Sequence, residues 1–394
     1  MVVASGYASG GKPAILSGGY RQSGSSTAYE IDGLCTRCGT GAAPYHKVIV
    51  LKRCVIRLVA QNDELARSNS AMMNESSDDR ADANAKGMVN DHIENATTSS
   101  STVNERGDHD RVVIVTGATS GMGIDLAKHL HQKGWKVAVV GRNAAAGQSV
   151  VDQIADPEHT RFFQCHLDSY ASQAEMYKAV WSIWGRLDLV CANAGIVDKG
   201  SLYQFAWRGK CVDEVPPEPD LQCTDVDYKG VIYGVQLATH FMRHNATPGG
   251  KIIVNASIGG IFPHRTYPEY CGAKAAVIQY VRGVAPLLRM KENIFLNVVM
   301  PGAVATPIVP KAMIEAVSPD CLTPVSTIIA AHDRFIEDQD GICGQALEGS
   351  ADKLVYYNLP EYGNGYKTKR AVTVWEPLFE MTHGEGSGLP DAIP

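Results

Sequence analysis

"RVVIVTGATSGMG" (Arg111–Gly123) is the stretch that decides the fold. A short β-branched run leads into a glycine-rich turn, and the segment that follows has helical spacing and ends at Gly134. In such a strand–turn–helix unit, glycine lets the backbone approach a pyrophosphate closely, and the N–H groups at the start of the helix bind the phosphates. The turn therefore predicts nucleotide binding by Thr116, Gly117, Ser120, Gly121, Met122 and Gly123.

Strand and helix patterns alternate through the rest of the chain. Further strands are predicted at "WKVAVVG", "TRFFQCHL", "LDLVCANAG", "KIIVNAS" and "FLNVVMPG", and "KLVYYN" is predicted to be the last one. This alternation is typical of right-handed βαβ units. We therefore predict an α/β fold, a single doubly wound Rossmann domain with a parallel sheet and helices on both faces. It covers residues 111–365 and is followed by a C-terminal tail over residues 366–394.

The first 110 residues have a different composition. Residues 61–110 are polar, acidic and poor in aromatic side chains, so they cannot bury enough apolar surface to offset chain entropy. A low-complexity, largely disordered extension is predicted over residues 1–110. Within it, "CTRC" (Cys35–Cys38) could bind zinc together with His46 and Cys54. The usual second close pair is missing, so a glycine-rich loop that holds cysteines is preferred and no metal is predicted.

Composition excludes several classes of protein. The net charge of −6 gives no basic surface for nucleic acid, and no run of eighteen apolar residues suits a membrane span. The ten cysteines are scattered singly apart from the one close pair, which indicates reduced thiols and a cytoplasmic protein. Neither nucleic acid nor a membrane is therefore expected as a partner.

The end of the second strand indicates which dinucleotide is used. An acidic residue there would hold the adenosine 2′-hydroxyl of NAD. This chain has "VVGRN", with Gly141 at that position and Arg142 beside it. A guanidinium pairs well with the extra 2′-phosphate of NADP, so NADP is predicted and NAD is left possible. The alternative is that Arg142 is a solvated loop residue.

"SIGGIFPHRTYPEYCGAK" (Ser257–Lys274) holds the candidate reactive groups. Of the sixteen tyrosines in the chain, Tyr270 alone has a lysine at i+4, and the two residues share one helix face. A free phenol has a pKa of about 10, and a nearby ammonium is expected to lower it toward neutrality. Ser257 can donate to a substrate oxygen. The alternative is a packing tyrosine, a solvated lysine and a serine that caps a turn.

Five motifs in the same order resemble the short-chain dehydrogenase/reductases of the single-domain type: "TGATSGMG", "CANAG" (Cys191–Gly195), Ser257, "YCGAK" and "MPGAVAT" (Met300–Thr306). The resemblance runs from Arg111 to about Pro360. The stretch "PPEPDLQCTDVDYKGVIYG" is similar to the 15-hydroxyprostaglandin-dehydrogenase-like branch and its fungal members. The resemblance implies hydride transfer between a nicotinamide cofactor and a secondary alcohol or ketone, and a role in fungal secondary metabolism.

The resemblance also implies roles for single residues. Asn193 would stabilise the central strand near the adenine ribose, and Val304 and Thr306 would contact the nicotinamide carboxamide. Tyr270 would exchange the proton, and Lys274 would also bind the nicotinamide ribose.

Two positions depart from the family pattern. His166 stands where an acidic residue usually lies near the adenine. Asp227 stands where a catalytic asparagine holds a water that leads to the lysine, and its charge would alter neighbouring titrations.

The remaining expectations concern substrate and assembly. The aromatic residues Tyr203, Phe205 and Trp207 either line an apolar pocket or anchor their own loop. Residues Phe262, His264 and Tyr267 would border the substrate, and residues 307–323 would form a lid over it. The tail segment "VTVWEPLFEM" would dock on a partner subunit, cap the pocket or stay detached. A homodimer or homotetramer is expected from the family.

The sequence thus predicts an NADP-preferring oxidoreductase that acts on an apolar small molecule. The alternatives are an NAD-dependent hydroxy-lipid dehydrogenase and a catalytically weak protein that senses the nucleotide.

Overall fold

The computed structural model describes residues 110–394, together with five short strands nearer the N terminus. These strands pair as one two-stranded and one three-stranded antiparallel sheet, and they are Ala4–Tyr7, Pro13–Leu16, Tyr20–Gln22, Ala28–Ile31 and Val50–Leu51. The chain divides into two compact units, residues 1–100 and 101–394. The zinc alternative and, apart from these strands, the predicted disordered extension lie outside the described residues.

The second unit is built on an eight-stranded sheet. Its strands are β1 (Val112–Thr116), β2 (Lys136–Gly141), β3 (Thr160–Gln164), β4 (Leu189–Ala192), β5 (Gly250–Asn255), β6 (Ile294–Pro301), β7 (Ala346–Ser350) and β8 (Lys353–Tyr356). The spatial order is β3-β2-β1-β4-β5-β6-β7-β8, and every neighbouring pair except β7–β8 is parallel. The predicted doubly wound fold is confirmed.

The last two strands add an antiparallel pair at the edge of the parallel sheet. The sequence pattern missed β7 and predicted β8 as the last strand. Only Ala351 and Asp352 separate the two strands, and a connection this short can join antiparallel strands alone. Ala351 takes a left-handed conformation at φ 48°, as the tight turn requires.

Helices cover both faces of the sheet, as predicted. They are α1 (Met122–Gln132), α2 (Ala144–Ile154), α3 (Tyr170–Trp184), α4 (Gln222–Thr224), α5 (Gly230–Met242), α6 (Pro268–Glu292), α7 (Lys311–Ala316), α8 (Val325–Ile336), α9 (Gly365–Val372) and α10 (Glu376–His383). A π-helical turn, Asp225–Lys229, joins α4 to α5. Short 3₁₀ turns lie at Phe205–Trp207, Ile258–Gly260 and Pro319–Cys321. In the described part of the chain, none of these helices has the length and hydropathy that a membrane span requires.

Two apolar cores lie on opposite faces of the sheet. On one face the strands pack against α3, α5 and α6, and on the other against α1, α2 and α8. The central strands carry near-continuous Val and Ile runs because both of their faces are buried. Strand order reverses between β1 and β4, and a sheet of this type binds ligands at the carboxyl ends of its strands at this point.

The C-terminal tail folds against the end of α6. The Lys291 ammonium donates to the carbonyl oxygen of Gly386 at 2.7 Å and pairs with Glu385 at 3.2 Å. Trp375 and Ile393 form a parallel bridge that closes the tail on itself. The expectation of a detached tail is therefore wrong.

Candidate active site

A cavity of about 410 Å³ opens at the carboxyl ends of the parallel strands. Most of the predicted site residues line it, namely Gly117, Ser120, Gly121, Met122, Gly123, Arg142, Asn193, Ser257, Tyr270, Lys274, Val304 and Thr306. Residues that are more than a hundred positions apart in the sequence thus meet around one space. Thr116, His166 and Asp227, which were also predicted, do not line the cavity.

The glycine turn has the shape that a dinucleotide phosphate needs. Gly117 and Gly121 have φ of 67° and 52°, a region that side chains rarely adopt. A Cβ on Gly123 would lie 2.3 Å from the carbonyl oxygen of Gly117, so only glycine fits there. No side chain caps α1 at Gly121 within the described residues, and the first residues of this helix line the cavity. The turn therefore fits a phosphate group held by backbone N–H groups.

Thr116 and Asn193 tie the central strands together below the cavity. The Thr116 hydroxyl accepts from the N–H of Ala194 at 3.1 Å, and the Asn193 amide donates to the carbonyl oxygen of Thr116 at 3.0 Å. The Asn255 amide donates to Asn193 Oδ1 at 2.7 Å. Thr116 thus stabilises the site from beneath, and its role as a cofactor contact stays a prediction. Asn193 has the strand-stabilising position that the resemblance implied.

The end of the cavity next to β2 contains Gly141 and Arg142. A Cβ on Gly141 would lie 2.5 Å from Thr119 Cγ2, so this backbone leaves no room for an acidic side chain unless Thr119 moves. His166 is exposed, whereas its neighbours Cys165 and Leu167 line the cavity. His166 thus does not line the cavity, and its role in cofactor binding stays a prediction.

Tyr270 and Lys274 project from the first turns of α6 toward Ser257. The Lys274 ammonium lies 5.5 Å from the centroid of the Tyr270 ring. It donates to the main-chain oxygen of Asn255 at 2.9 Å and pairs with Asp227 Oδ2 at 3.0 Å. This ion pair is almost fully enclosed, since 3% of the Lys274 side chain and none of the Asp227 side chain is accessible. Asp227 therefore lies behind the lysine and not in the cavity wall.

The electrostatics of the tyrosine differ from the sequence prediction. Burial raises the pKa of Tyr270 above its usual value, and the opposing effects of Lys274 and of a hydrogen bond with Ser257 do not cancel the rise. The charge of Asp227 adds to the increase. The expected effect of the ammonium is confirmed in direction, since Lys274 lowers the pKa of Tyr270, but burial outweighs it. A sequence pattern reports neither the burial of the phenol nor the counter-charge on its lysine.

The lysine keeps its proton. Burial lowers the pKa of Lys274, but the charge and hydrogen bond of Asp227, together with the effect of Tyr270, outweigh burial and the net shift is upward. Burial also raises the pKa of Asp227, against the pull of the ammonium. Asp227 also accepts from the N–H of Ile196 at 2.8 Å, from within the π-helical turn. Such π-turns often mark functional sites, and the sequence pattern did not predict this one.

Sequence reasoning missed two carboxylates next to the tyrosine. Asp198 accepts from the backbone N–H of Glu269 at 3.0 Å and of Tyr270 at 2.8 Å. Glu269 is buried and accepts from both the N–H and the hydroxyl of Thr224, at 2.8 and 2.9 Å. The available signal was the start of α6, where Tyr267 stands at the N-cap without a capping oxygen.

The part of the cavity formed by the loop before α6 and by the predicted lid is mostly apolar. Phe262, His264 and Tyr267 line it, as predicted, and the rings of His264 and Tyr267 stack with centroids 5.3 Å apart. The predicted lid contributes Pro307, Ile308, Val309, Pro310, Met313, Ile314, Val317 and Leu322. A mostly apolar space with a few polar groups near the tyrosine suits a small, largely apolar molecule.

The aromatic cluster after β4 anchors its own loop. The Tyr203 hydroxyl donates to the carbonyl oxygen of Arg265 at 2.6 Å, and the Trp207 indole donates to that of Glu214 at 3.0 Å. The rings of Tyr203 and Phe205 stack with centroids 5.3 Å apart. These three aromatic residues are not among those that line the cavity, and neither is any residue of the tail. Of the two alternatives for the cluster, anchoring is the one observed.

Comparisons with known proteins agree with the motifs. Residues 111–315 match the family model described as short chain dehydrogenase. The chain is 56% identical over 292 residues to the short-chain dehydrogenase/reductase prx6 of Penicillium rubens, an alignment that covers 72% of this chain and 98% of that protein. It is 32% identical over 203 residues to the 15-hydroxyprostaglandin dehydrogenase [NAD(+)] of Mus musculus, covering 50% and 70% of the two chains. The chain therefore belongs to the short-chain dehydrogenase/reductase family, whose members are NAD(P)-dependent oxidoreductases acting on CH–OH groups.

Proposed function

We propose that this protein is an NADP-preferring oxidoreductase that interconverts a secondary alcohol and a ketone on an apolar small molecule, in secondary-metabolite biosynthesis. One observation carries the proposal. The glycine turn and the trio of Ser257, Tyr270 and Lys274 line the same cavity. The similarity to prx6 of Penicillium rubens supports a fungal type of short-chain dehydrogenase/reductase.

The bound dinucleotide would supply or accept the hydride. The glycine turn would hold its phosphates, and Asn193, Val304 and Thr306 would surround its ribose and carboxamide. In reduction, the O–H bond of Tyr270 breaks as its proton passes to the ketone oxygen, and the phenolate recovers a proton afterwards. Ser257 would donate to the same oxygen and stabilise the charge that develops on it. Lys274, held by Asp227, would keep a positive charge beside the phenol.

Replacement of the tyrosine tests this assignment of roles. Tyr270→Phe keeps the ring and removes the transferable proton. General acid–base catalysis typically contributes a factor of about 10²–10⁴, and turnover should fall by that factor while NADPH still binds. Tyr203→Phe is the matched control, since the Tyr203 hydroxyl bonds a loop carbonyl outside the cavity. Equal turnover in Tyr270→Phe and wild type would remove Tyr270 from the mechanism.

The preference for NADP is proposed from the adenosine end of the cavity. Arg142 offers a cation for the 2′-phosphate, and the tight space at Gly141 disfavours an acidic residue there. Arg142→Ala should weaken NADPH binding by about 10-fold or more and leave NADH binding unchanged, because a charge-assisted pair is lost. Fluorescence titration with each cofactor measures this, with Arg161→Ala as an exposed control outside the cavity. Tighter binding of NADH than of NADPH by the wild type would overturn the preference.

Two alternatives have their own support. The similarity to a relative named 15-hydroxyprostaglandin dehydrogenase [NAD(+)] favours an NAD-dependent hydroxy-lipid dehydrogenase, and the cofactor titration decides between the two. The Asp227–Lys274 pair and the raised pKa of Tyr270 favour a catalytically weak protein that senses the nucleotide. Cofactor binding without turnover on a broad panel of ketones and alcohols would support the sensor.

We also propose a cytoplasmic location and a homodimer or homotetramer. The cysteines of the described part of the chain are all free thiols, which supports a reducing compartment. Fractionation of the native cell and light scattering of the purified chain test the two proposals.

A further inference from the structure

The start of α6 lacks a cap of its own. Pro268 has no N–H, and the N-cap residue Tyr267 makes no side-chain hydrogen bond to the helix. The N–H of Cys271 bonds the carbonyl oxygen of Tyr267 at 3.0 Å, which leaves the N–H groups of Glu269 and Tyr270 to be satisfied. One of these two groups belongs to the proposed acid–base residue itself.

Asp198 supplies that cap from another part of the chain. Its two carboxylate oxygens accept from Tyr270 at 2.8 Å and from Glu269 at 3.0 Å, across more than seventy positions of sequence. A carboxylate is well placed at a helix N terminus, because it faces the positive end of the helix dipole. The loop that carries Asp198 thus fixes the first turn of α6 at the residue whose phenol faces the cavity.

Glu269 extends the contact to a third segment. Its carboxylate accepts from the N–H and the hydroxyl of Thr224, at the end of α4 and directly before the π-helical turn. That turn holds Asp227, which accepts from the N–H of Ile196, two residues before Asp198. The Cys223 thiol donates to the carbonyl oxygen of the same Ile196 at 3.2 Å. The hydrogen bonds therefore close a ring through the loop, the start of α6 and the π-turn.

Three side chains in this ring of hydrogen bonds have the spacing of metal ligands, but their hydrogen bonds and protonation do not suit a metal. One atom each from Asp198, Cys223 and Glu269 lies within 4.8 Å of the others, a spacing that could hold a cation. Both carboxylates already accept from backbone N–H groups, and burial raises the pKa of Cys223, which favours the thiol over the metal-binding thiolate. These groups are arranged to hold protein segments together.

We propose that Asp198 is a positioning residue for the reaction: by capping the N–H groups of Glu269 and Tyr270, it sets the place of the Tyr270 phenol in the cavity. Glu269 acts as the second link, which holds the π-turn against the same helix start. The inference rests on the proposed function for its effect on turnover. Its structural part, the control of the start of α6, does not depend on that function.

Asp198→Ala removes both acceptors, and Asp198→Asn keeps one. The matched control is Asp220→Ala, since Asp220 also accepts from a backbone N–H, that of Gln222 at 2.9 Å, but makes no hydrogen bond or ion pair with α6 in the described part of the chain. Because a displacement of about 1 Å can cost a hundredfold in rate, kcat for ketone reduction should fall about 10- to 100-fold in Asp198→Ala and less in Asp198→Asn. The Kd for NADPH should stay within about twofold of wild type, since the glycine turn is untouched. Asp220→Ala should keep the wild-type kcat.

Amide hydrogen exchange gives a reading that does not need turnover. In Asp198→Ala the amide protons of Glu269 and Tyr270 should exchange at least about 10-fold faster, while amides in the middle of α6 keep their protection. Unchanged exchange at Tyr270 overturns the proposal, as does a kcat equal to that of Asp220→Ala in an active enzyme. A parallel loss of NADPH affinity also overturns it, because the effect would then be general. If the wild type turns over no substrate, the proposed function fails and the exchange rates still decide the role of Asp198.

Discussion

Replacing Asp227 by asparagine should lower the pKa of the tyrosine. The substitution keeps the size of the side chain and an oxygen that can accept from the N–H of Ile196, but it removes the negative charge beside Lys274. In the wild type that charge adds to the burial that raises the pKa of Tyr270. Asparagine is also the residue that the family pattern has at this position.

The distances fix the size of the effect. Asp227 Oδ2 lies 3.0 Å from the ammonium, which lies 5.5 Å from the centroid of the Tyr270 ring. The carboxylate oxygen is therefore at most about 8.5 Å from that centroid. At an effective dielectric constant of about 20, a phenolate at this separation is destabilised by about 2 kcal/mol. Removing the charge should lower the pKa of Tyr270 by about one to two units, because one unit corresponds to about 1.4 kcal/mol.

Two measurements report the shift. The ultraviolet difference spectrum of the phenolate, titrated with and without a Tyr270→Phe background, gives the ionisation of this tyrosine without cofactor. The pH dependence of kcat/KM for alcohol oxidation gives it in the free enzyme. Oxidation needs the phenolate, so the acid limb of its profile should move to lower pH by the same one to two units.

A defined result would refute the predicted fall in the pKa of Tyr270. Asparagine leaves Lys274 buried without its counter-charge, so the variant should be less stable, and NADPH binding must first be verified. If the variant binds NADPH and the midpoint for Tyr270 stays within about 0.3 units of wild type, the electrostatic reasoning is refuted. A midpoint that moves upward would show instead that Lys274 has lost its proton.

Two further predictions concern cofactor binding and stability. In Gly123→Ala the added Cβ would lie 2.3 Å from the Gly117 carbonyl oxygen, so the affinity for NADPH, measured by fluorescence, should fall about 10-fold or more. The control is Gly283→Ala, whose added Cβ meets nothing within 4 Å and should leave the affinity unchanged. His332 is fully buried and burial lowers its pKa from 6.5 to about 4, so the unfolded chain binds the proton more readily than the folded one. The neutral buried imidazole therefore stabilises the fold fully above pH 6.5, and this stabilisation is lost as the pH falls toward 4. Urea titrations should show a fall of about 3 kcal/mol in the free energy of unfolding from this residue, and the fall should be absent in His332→Leu.

The parts of the fold that local pattern controls were predictable. Three glycines between a strand pattern and a helix pattern predict the turn after β1, and β-branched runs predict the buried strands. The strand β7 was missed because "ALEGS" contains a charge, a glycine and a serine in five residues, and its pairing with β6 and β8 makes it a strand.

The parts of the site that depend on distant contacts were not predictable. Asp198 has no local sign of a role, because its partners are the N–H groups of a helix more than seventy residues away. His166 follows a predicted strand, but the strand pattern does not report that this residue is exposed and absent from the cavity lining. The spacing of Tyr270 and Lys274 predicted that the two meet, whereas the pKa of the phenol depends on burial that spacing does not report.

The counter-charge on Lys274 also bears on the pH dependence of the proposed reaction. Oxidation of an alcohol begins with a phenolate, and reduction of a ketone begins with a phenol that gives up its proton. Lys274 lowers the pKa of Tyr270, the charge of Asp227 opposes this effect, and burial makes the net shift upward. A raised pKa leaves less phenolate at a given pH, so oxidation should gain more than reduction from an increase in pH.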